Sequence, residues 1–402
     1  MPQPTSTNGP LSGVRVLELA AVVAGPTACQ VMADLGADVV KVEPPSGDAA
    51  RHVGTAVDGV PLWWKHLGRN KRSIGLDLAR PAGREVLHRL VDGADVLVES
   101  FRPGTLERWG LAPDALLERN PDLIVGRISG FGHTGPYAER AAFGTLVEAM
   151  SGFASVNGPA EGPPTLPPIA LADYLTGYAA CIGVLAALHA RAGGRARGQV
   201  VEVNLLASLL AVMNLQILQC GKAGLVPARI GSRMTTTAPR NVYPTSDGRW
   251  VAVSGTTLRT ARQLVELVGR PDLADEPWFA TGAGRYAHVE LLDQVVAAWT
   301  GARPLAAIMS AAERAGVTLA PVNDVADLLA DPAIVAGGQL QAMADPELGE
   351  VVVPGLLCNL QATPGRLSWL GQPLGASTED VLRELSFGDD EVQAMRESGV
   401  VV

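Results

Sequence analysis

The sequence predicts an α/β protein: a large α/β domain on a mostly parallel sheet, with a smaller α+β domain inserted into it. Three observations carry that prediction. Short Val/Ile/Leu-rich runs alternate with helical patterns as far as residue 132, the mark of strands buried on both faces. Helical periodicity then dominates from 143 to 220. A hairpin signal near 243 opens a stretch of different character.

The elements follow in order. VRVLEL (14–19) is a compact apolar strand, and AAVVAGP turns the chain. TACQVMADLGA (27–37) has helical periodicity, with Pro26 near its first turn and Gly36 near its end. DVVKVEPP (38–45) is the next strand, stopped by two prolines. RSIGLDL (72–78) reads as the third strand and leads to a helix at 81–93. ADVLVESF (94–101) is the fourth strand, a short helix starts at 105, and PDLIVGRISGFG (121–132) carries the fifth strand. GQVVEVNLL (198–206) is strand-like within the helical region. AGLVPARIGSRMTTTAPRN (223–241) is a loop-rich linker. YPTSDGRWVAVSG (243–255) reads as a hairpin around Ser-Asp-Gly. Helical patterns run through 258–314, 316–325 is extended, and a charged amphipathic helix near 378–397 ends the chain. The expected division is a large domain over 1–225, a small domain over 226–315, and a segment over 316–402 that returns to the large domain.

Composition narrows the function. With 47% hydrophobic residues in 402, sizeable cores are possible, and 18% charged residues argue against disorder. The net charge of -9 disfavours nucleic acid and anionic membrane as partners but leaves room for one anionic small molecule. Cys29, Cys181, Cys220 and Cys358 are far apart and signal neither a zinc site nor a disulfide framework. MPQPTSTNGP has no signal-peptide character. The apolar run YAACIGVLAALHA is shorter than the roughly 20 residues that span a bilayer. The expectation is a cytoplasmic protein.

Several chemistries lack their motifs. The first strand-turn-helix has Gly25 and Pro26 where a dinucleotide fold keeps G-x-G-x-x-G, which disfavours an NAD dehydrogenase. The histidines form no metal-binding pair, and there is no G-x-S-x-G elbow. RNKRS (69–73) and ESFRPGTLERWGL (99–111), with Arg102 and Arg108, are either solvated turns or phosphate-binding patches. Asp173 is the one carboxylate in PPIALADYLTGYAACIGVLAAL (167–188). One reading makes it a helix N-cap. The other makes it a nucleophile held ionised by the helix dipole and nearby N–H groups. The two are compatible.

A series of stretches in order resembles the family III CoA transferases, a group that includes formyl-CoA transferase and carnitine CoA-transferase, with α-methylacyl-CoA racemase as a relative. They are LSGVRVLELAAVVAGPTACQVMADLGADVVKVEPPSGD, NKRSIGLDL, ADVLVESFRPGTLERWGL, NPDLIVGRISGFGHTGPY, ALADYLTGYAACIGVLAAL, RGQVVEVNLLAS, APVNDVADLLADP and LGASTEDVLRELSF. The resemblance implies ring-like monomers, each a Rossmann-like large domain plus a small domain, interlocked in a homodimer, with the active site between the domains. It implies that Asp173 is the nucleophile. It also implies CoA contacts at Val22, Val23, Ala24, Asn70, Lys71, Arg72, Ser100, Phe101 and Arg108. The substrates would be an acyl-CoA and a carboxylic acid, with no tightly bound cofactor and no metal. The racemase branch pairs a histidine with the aspartate, and Phe143 stands at the matching place, so transfer is favoured and racemisation or epimerisation is the alternative. SRMTTTAP (232–239) replaces the glycine run of the formyl-CoA branch, which disfavours an oxalate/formate pair. For a dicarboxylate acceptor, Arg233 and Arg240 are the candidate cations.

Overall fold

Six parallel strands form the central sheet: β1 (Arg15–Glu18), β2 (Asp38–Glu43), β3 (Lys71–Gly75), β4 (Val96–Glu99), β5 (Ile124–Ser129) and β6 (Gln199–Asn204). Their order in space is β3-β2-β1-β4-β5-β6. The order reverses between β1 and β4, and the carboxyl end of such a reversal is where open α/β sheets bind ligands. The structure, a computed structural model, describes residues 9–402. Of these, the residues up to Phe153, Leu166–Leu225 and Ala333–Val402 form one unit; Ala154–Thr165 and Val226–Pro332 form a second.

The sheet is buried on both faces because successive side chains point opposite ways. Leu17, Val40, Val42, Leu97 and Val125 enter one core, with Val86, Leu87 and Leu382 from the helices covering it. Val16, Val39, Val96, Val98 and Ile124 enter the other. That second core is covered by α1 (Ala24–Asp34) and by the 22-residue helix Leu171–Ala192. The crossover from β4 includes no helix on this face, whereas the crossover from β5 to β6 includes α3 (Gly144–Met150) and α4 (Leu171–Ala192), and α2 (Leu62–Leu67) precedes β3.

Helix α4 has 22 residues and is apolar enough, by length and composition, to cross a membrane. The 13-residue apolar run is only the centre of this helix, which is longer because Leu171–Gly177 at one end and Arg191 and Ala192 at the other also lie within it. In this fold it packs on α1. Gly177 makes that possible: a Cβ there would meet the Ala24 carbonyl oxygen at 2.6 Å and Thr27 Cβ at 2.7 Å. Gly177→Val is therefore expected to cost about 1–3 kcal/mol in urea unfolding; an unchanged midpoint would show that the helices can part freely.

The second unit holds a three-stranded antiparallel sheet of Arg240–Pro244, Trp250–Ser254 and Leu319–Pro321. The first two strands are the expected hairpin. The third corrects the expected boundary at 315. Leu319–Pro321 pairs with Val251–Val253, so the unit runs to Pro332 and also takes in Ala154–Thr165. The expected single helix near 378–397 is two, Thr378–Glu384 and Asp389–Glu397, interrupted where Ser386 adopts a φ of 64°.

Candidate active site

The loop after β1 has an unusual backbone. Val22 has a φ of 67°, a costly conformation for a β-branched residue. Two side chains hold it: Ser100 Oγ accepts the Ala21 N–H at 3.0 Å, and Asp48 Oδ1 accepts the Val22 N–H at 3.1 Å. Strain that the surroundings fix in this way is common at functional sites.

Beneath the loop lies a buried charge network. The sheet order puts β1, β2 and β3 side by side, and Glu18 is in direct register with Lys41. Glu18 pairs with Lys41 at 3.0 Å and with Lys71 at 2.7 Å; all three are 1% exposed or less. Lys41 also pairs with Asp48 at 2.5 Å and donates to the Ala20 carbonyl, while Lys71 donates to the Pro26 carbonyl at 2.8 Å. Burial alone would lower the Lys41 pKa, but Glu18, Asp48 and Glu43 outweigh it and raise it. Burial alone would raise that of Asp48, and Lys41 holds it low. Both groups therefore stay charged and grip the two ends of the loop.

The loop forms one wall of a cleft of about 560 Å³ within the central unit. Val22, Val23, Trp63, Phe143, Leu166, Ile169 and prolines give it an apolar lining; Asp173, Glu148, Thr145 and Tyr174 are its polar side chains. Trp63 Nε1 donates to Tyr174 Oη at 3.1 Å, fixing both rings. No histidine or cation is among the lining residues.

Asp173 lies in the first turn of α4 but is not its cap. The N-cap is Ala170, which has no side chain to offer. Glu148 takes that role from α3: its Oε1 accepts the Ala172 N–H at 3.1 Å. The Asp173 carboxylate faces the cleft beside Gly144. Its pKa is not held low, as the helix-dipole argument alone would have it. Burial first, and the Glu148 charge second, push it up from 3.8 to about 6, against a smaller lowering by its own backbone N–H. At pH 7 it is still mostly ionised, and it is a more basic nucleophile than an ordinary carboxylate.

The other expected contacts divide. Val22 and Val23 share the cleft with Asp173, Ala24 is the first, buried residue of α1, and Ser100 braces the loop. Phe101 packs edge-on against Trp109 at 5.3 Å, towards the other core. Arg108 is exposed and donates to Thr105 Oγ1. The RNKRS side chains turn inward. Arg69 and Asn70 bond Asp34, Asn70 accepts the Ser368 N–H at 2.7 Å, and Arg69 donates to the Pro354 carbonyl at 2.6 Å. Lys71 pairs with Glu18, and Arg72 with Asp38 and Glu384. Arg69, Asn70 and Arg72 hold the returning chain segment to the sheet, and Lys71 holds Glu18 and the Pro26 carbonyl, so these side chains are engaged inside the protein instead of presenting a phosphate patch. A buried junction needs fixed partners, and Arg69, Asn70 and Arg72 supply them. Arg233, in the second unit, pairs with Glu290 and Asp293, and Arg240 donates to the Ser232 carbonyl. His133 sits between Glu99 and Glu202, 3.6 Å from each, away from the cleft lining.

The sequence reading missed Gly144, Glu148, Trp63 and Tyr174. Only Glu148 had a local signal, as the lone charge in the helical run FGTLVEAM. Tyr174 directly follows Asp173 and Gly144 shares α3 with Glu148, while Trp63 comes from α2, far away in the chain.

A parallel sheet of reversed strand order, with a recessed carboxylate in a cleft walled by the loop after β1, defines an α/β protein with an enzyme-like site. The chain belongs to CoA-transferase family III, whose model matches residues 11–378, and it is a CoA-transferase. It is 38% identical over 395 residues, 98% of each chain, to the succinyl-CoA–D-citramalate CoA-transferase of Chloroflexus aurantiacus. It is 37% identical to the succinate–glutarate CoA-transferase of Agrobacterium fabrum, covering 94% of this chain and 96% of that one. A CaiB/BaiF family protein from Brucella suis has the same fold, with a TM-score of 0.82 and 33% identity, covering 94% of this chain and 100% of that one.

Proposed function

We propose that the protein moves CoA from a dicarboxylic acyl-CoA to a carboxylic acid acceptor, with Asp173 as the covalent carrier. The observation that carries this is the Asp173 carboxylate itself: uncapped, basic, and walled by the strained loop that the resemblance implies for CoA. Asp173 attacks the thioester carbonyl, giving an aspartyl-acyl anhydride and CoA thiolate. The thiolate attacks the aspartyl carbonyl, giving an aspartyl-CoA thioester and releasing the donor acid. The acceptor carboxylate displaces CoA thiolate to form a second anhydride, and thiolate attack on the acceptor's carbonyl completes the exchange. Each thioester bond broken is replaced, so no ATP is consumed, and holding the thiolate nearby supplies the proximity effect.

Dicarboxylates are favoured because both relatives above are named for them. The cleft lining has no cation to meet a second carboxylate, so that group would be met by residues beyond the lining. Arg108 remains the exposed guanidinium for the nucleotide end. Two copies of the chain would pair through exposed apolar residues, among them Ile182, Val212, Ile217, Leu218 and Leu225, which are 45–68% exposed.

The test is mass spectrometry of the enzyme after incubation with a panel of acyl-CoAs. Succinyl-CoA is expected to add CoA mass to the peptide containing Asp173. A panel that transfers CoA without ever labelling that peptide would refute the covalent route.

A further inference from the structure

We propose that α3 is the positioning device for the nucleophile: Gly144 leaves the space in which the Asp173 carboxylate lies, and Glu148, one turn later, caps the helix that carries it. This rests on Asp173 being the nucleophile.

Gly144 and Glu148 are four residues apart and share one face of α3. That face meets the first turn of α4 at two points. At the first, a Cβ on Gly144 would overlap Asp173 Oδ2, lie 3.1 Å from Cγ, and touch Ala172 Cβ at 3.7 Å. Gly144 has no positive φ and stands at the start of a helix, where alanine would be the better helix former. The backbone therefore does not require glycine there; the carboxylate does. At the second point, Glu148 is 2% exposed and accepts the Ala172 N–H. Glutamine could accept that same bond. What glutamate adds is a buried negative charge next to Asp173. No other charged side chain lines the cleft. The loop wall of Val22 and Val23 and the segment Leu166–Ala170 are uncharged, and the remaining titratable group, Tyr174, is bonded to Trp63.

The two residues make separable predictions. Gly144→Ala is expected to lower kcat about a hundredfold, the usual scale for displacing a reacting group by an ångström. Its KM for the CoA ester should stay within about twofold, because the loop wall is untouched, and its melting temperature should not fall. Glu148→Gln keeps the cap and removes the charge, so the protein folds and the acid limb of kcat moves to lower pH. Glu148→Ala loses both, and its rate should fall further than that of Glu148→Gln.

The decisive experiment is a carbon-13 NMR titration of aspartate-labelled protein, with Asp173→Asn used to assign the Asp173 signal. In wild type the midpoint is expected at about 6. In Glu148→Gln it is expected to move down towards the ordinary carboxylate range, and in Gly144→Ala the signal should shift as the carboxylate is displaced. This readout does not depend on turnover. If wild type transfers no CoA, the functional reading fails while the titration still judges the positioning. An unmoved Asp173 midpoint in Glu148→Gln, or a Gly144→Ala protein with an unshifted signal and wild-type kcat, would overturn the proposal.

Discussion

Asp173→Asn abolishes CoA transfer and, at pH 8, stabilises the protein by roughly 2 kcal/mol: this is the expected result for a carboxylate held at a cost. The amide has nearly the shape of the carboxylate but cannot attack a thioester. Folding raises the Asp173 pKa from 3.8 to about 6, chiefly by burial. Such a group binds its proton more tightly when folded. Its contribution to stability is whole below 3.8 and is lost as the pH rises through about 6. Two pKa units correspond to about 3 kcal/mol, reduced to roughly 2 by partial solvent screening. The gain should therefore shrink as the pH falls through 6 and be mostly gone by about pH 4. Urea unfolding of both proteins at the two pH values measures it. An Asp173→Asn protein that is less stable than wild type at pH 8 would show Asp173 to be a structural group. One that retains transfer would show that the chemistry lies elsewhere.

Lys71→Ala is expected to destabilise the fold by about 3–5 kcal/mol, because it strips a partner from a fully buried carboxylate. Lys71 is 1% exposed, pairs with Glu18 and holds the Pro26 carbonyl. Without it, the cation left paired with Glu18 is Lys41, which Asp48 also claims. Replacing the pair together, Glu18→Gln with Lys71→Met, should cost much less than the sum of the single changes, since no unpaired charge is left behind. Urea midpoints for the two single variants and the double variant give the coupling. A Lys71→Ala protein of wild-type stability with a raised KM for acyl-CoA would mean that the ammonium reaches the nucleotide instead, as the resemblance alone implied.

These two residues show where the sequence was legible. Asp173 could be found from the sequence because a lone acid in a long apolar helix is conspicuous, and its neighbours ALADYLTG carry the family resemblance. Its environment could not. An N-cap was a fair expectation for an aspartate near a helix start, but the helix begins one residue before Ala172, and a glutamate from a different helix does the capping. Lys71 was read with its sequence neighbours as a cationic patch. Local charge density cannot tell a solvated cluster from one whose members each face a different buried acid.

What the sequence determined by itself is what depends on near neighbours along the chain. Apolar runs and the 3.6-residue pattern placed all six strands of the central sheet and several of the helices between them, though not α2, because burial of one face or both is written into consecutive residues. What the tertiary structure decided is pairing across long separations. The β3-β2-β1 order brings Glu18, Lys41 and Lys71 together, and the crossover between β5 and β6 sets Gly144 and Glu148 against Asp173. The strength and sign of a charge's effect depend on what lies within a few ångströms of it in a desolvated interior. Strand order and helix packing fix that distance, and no single stretch of sequence states it.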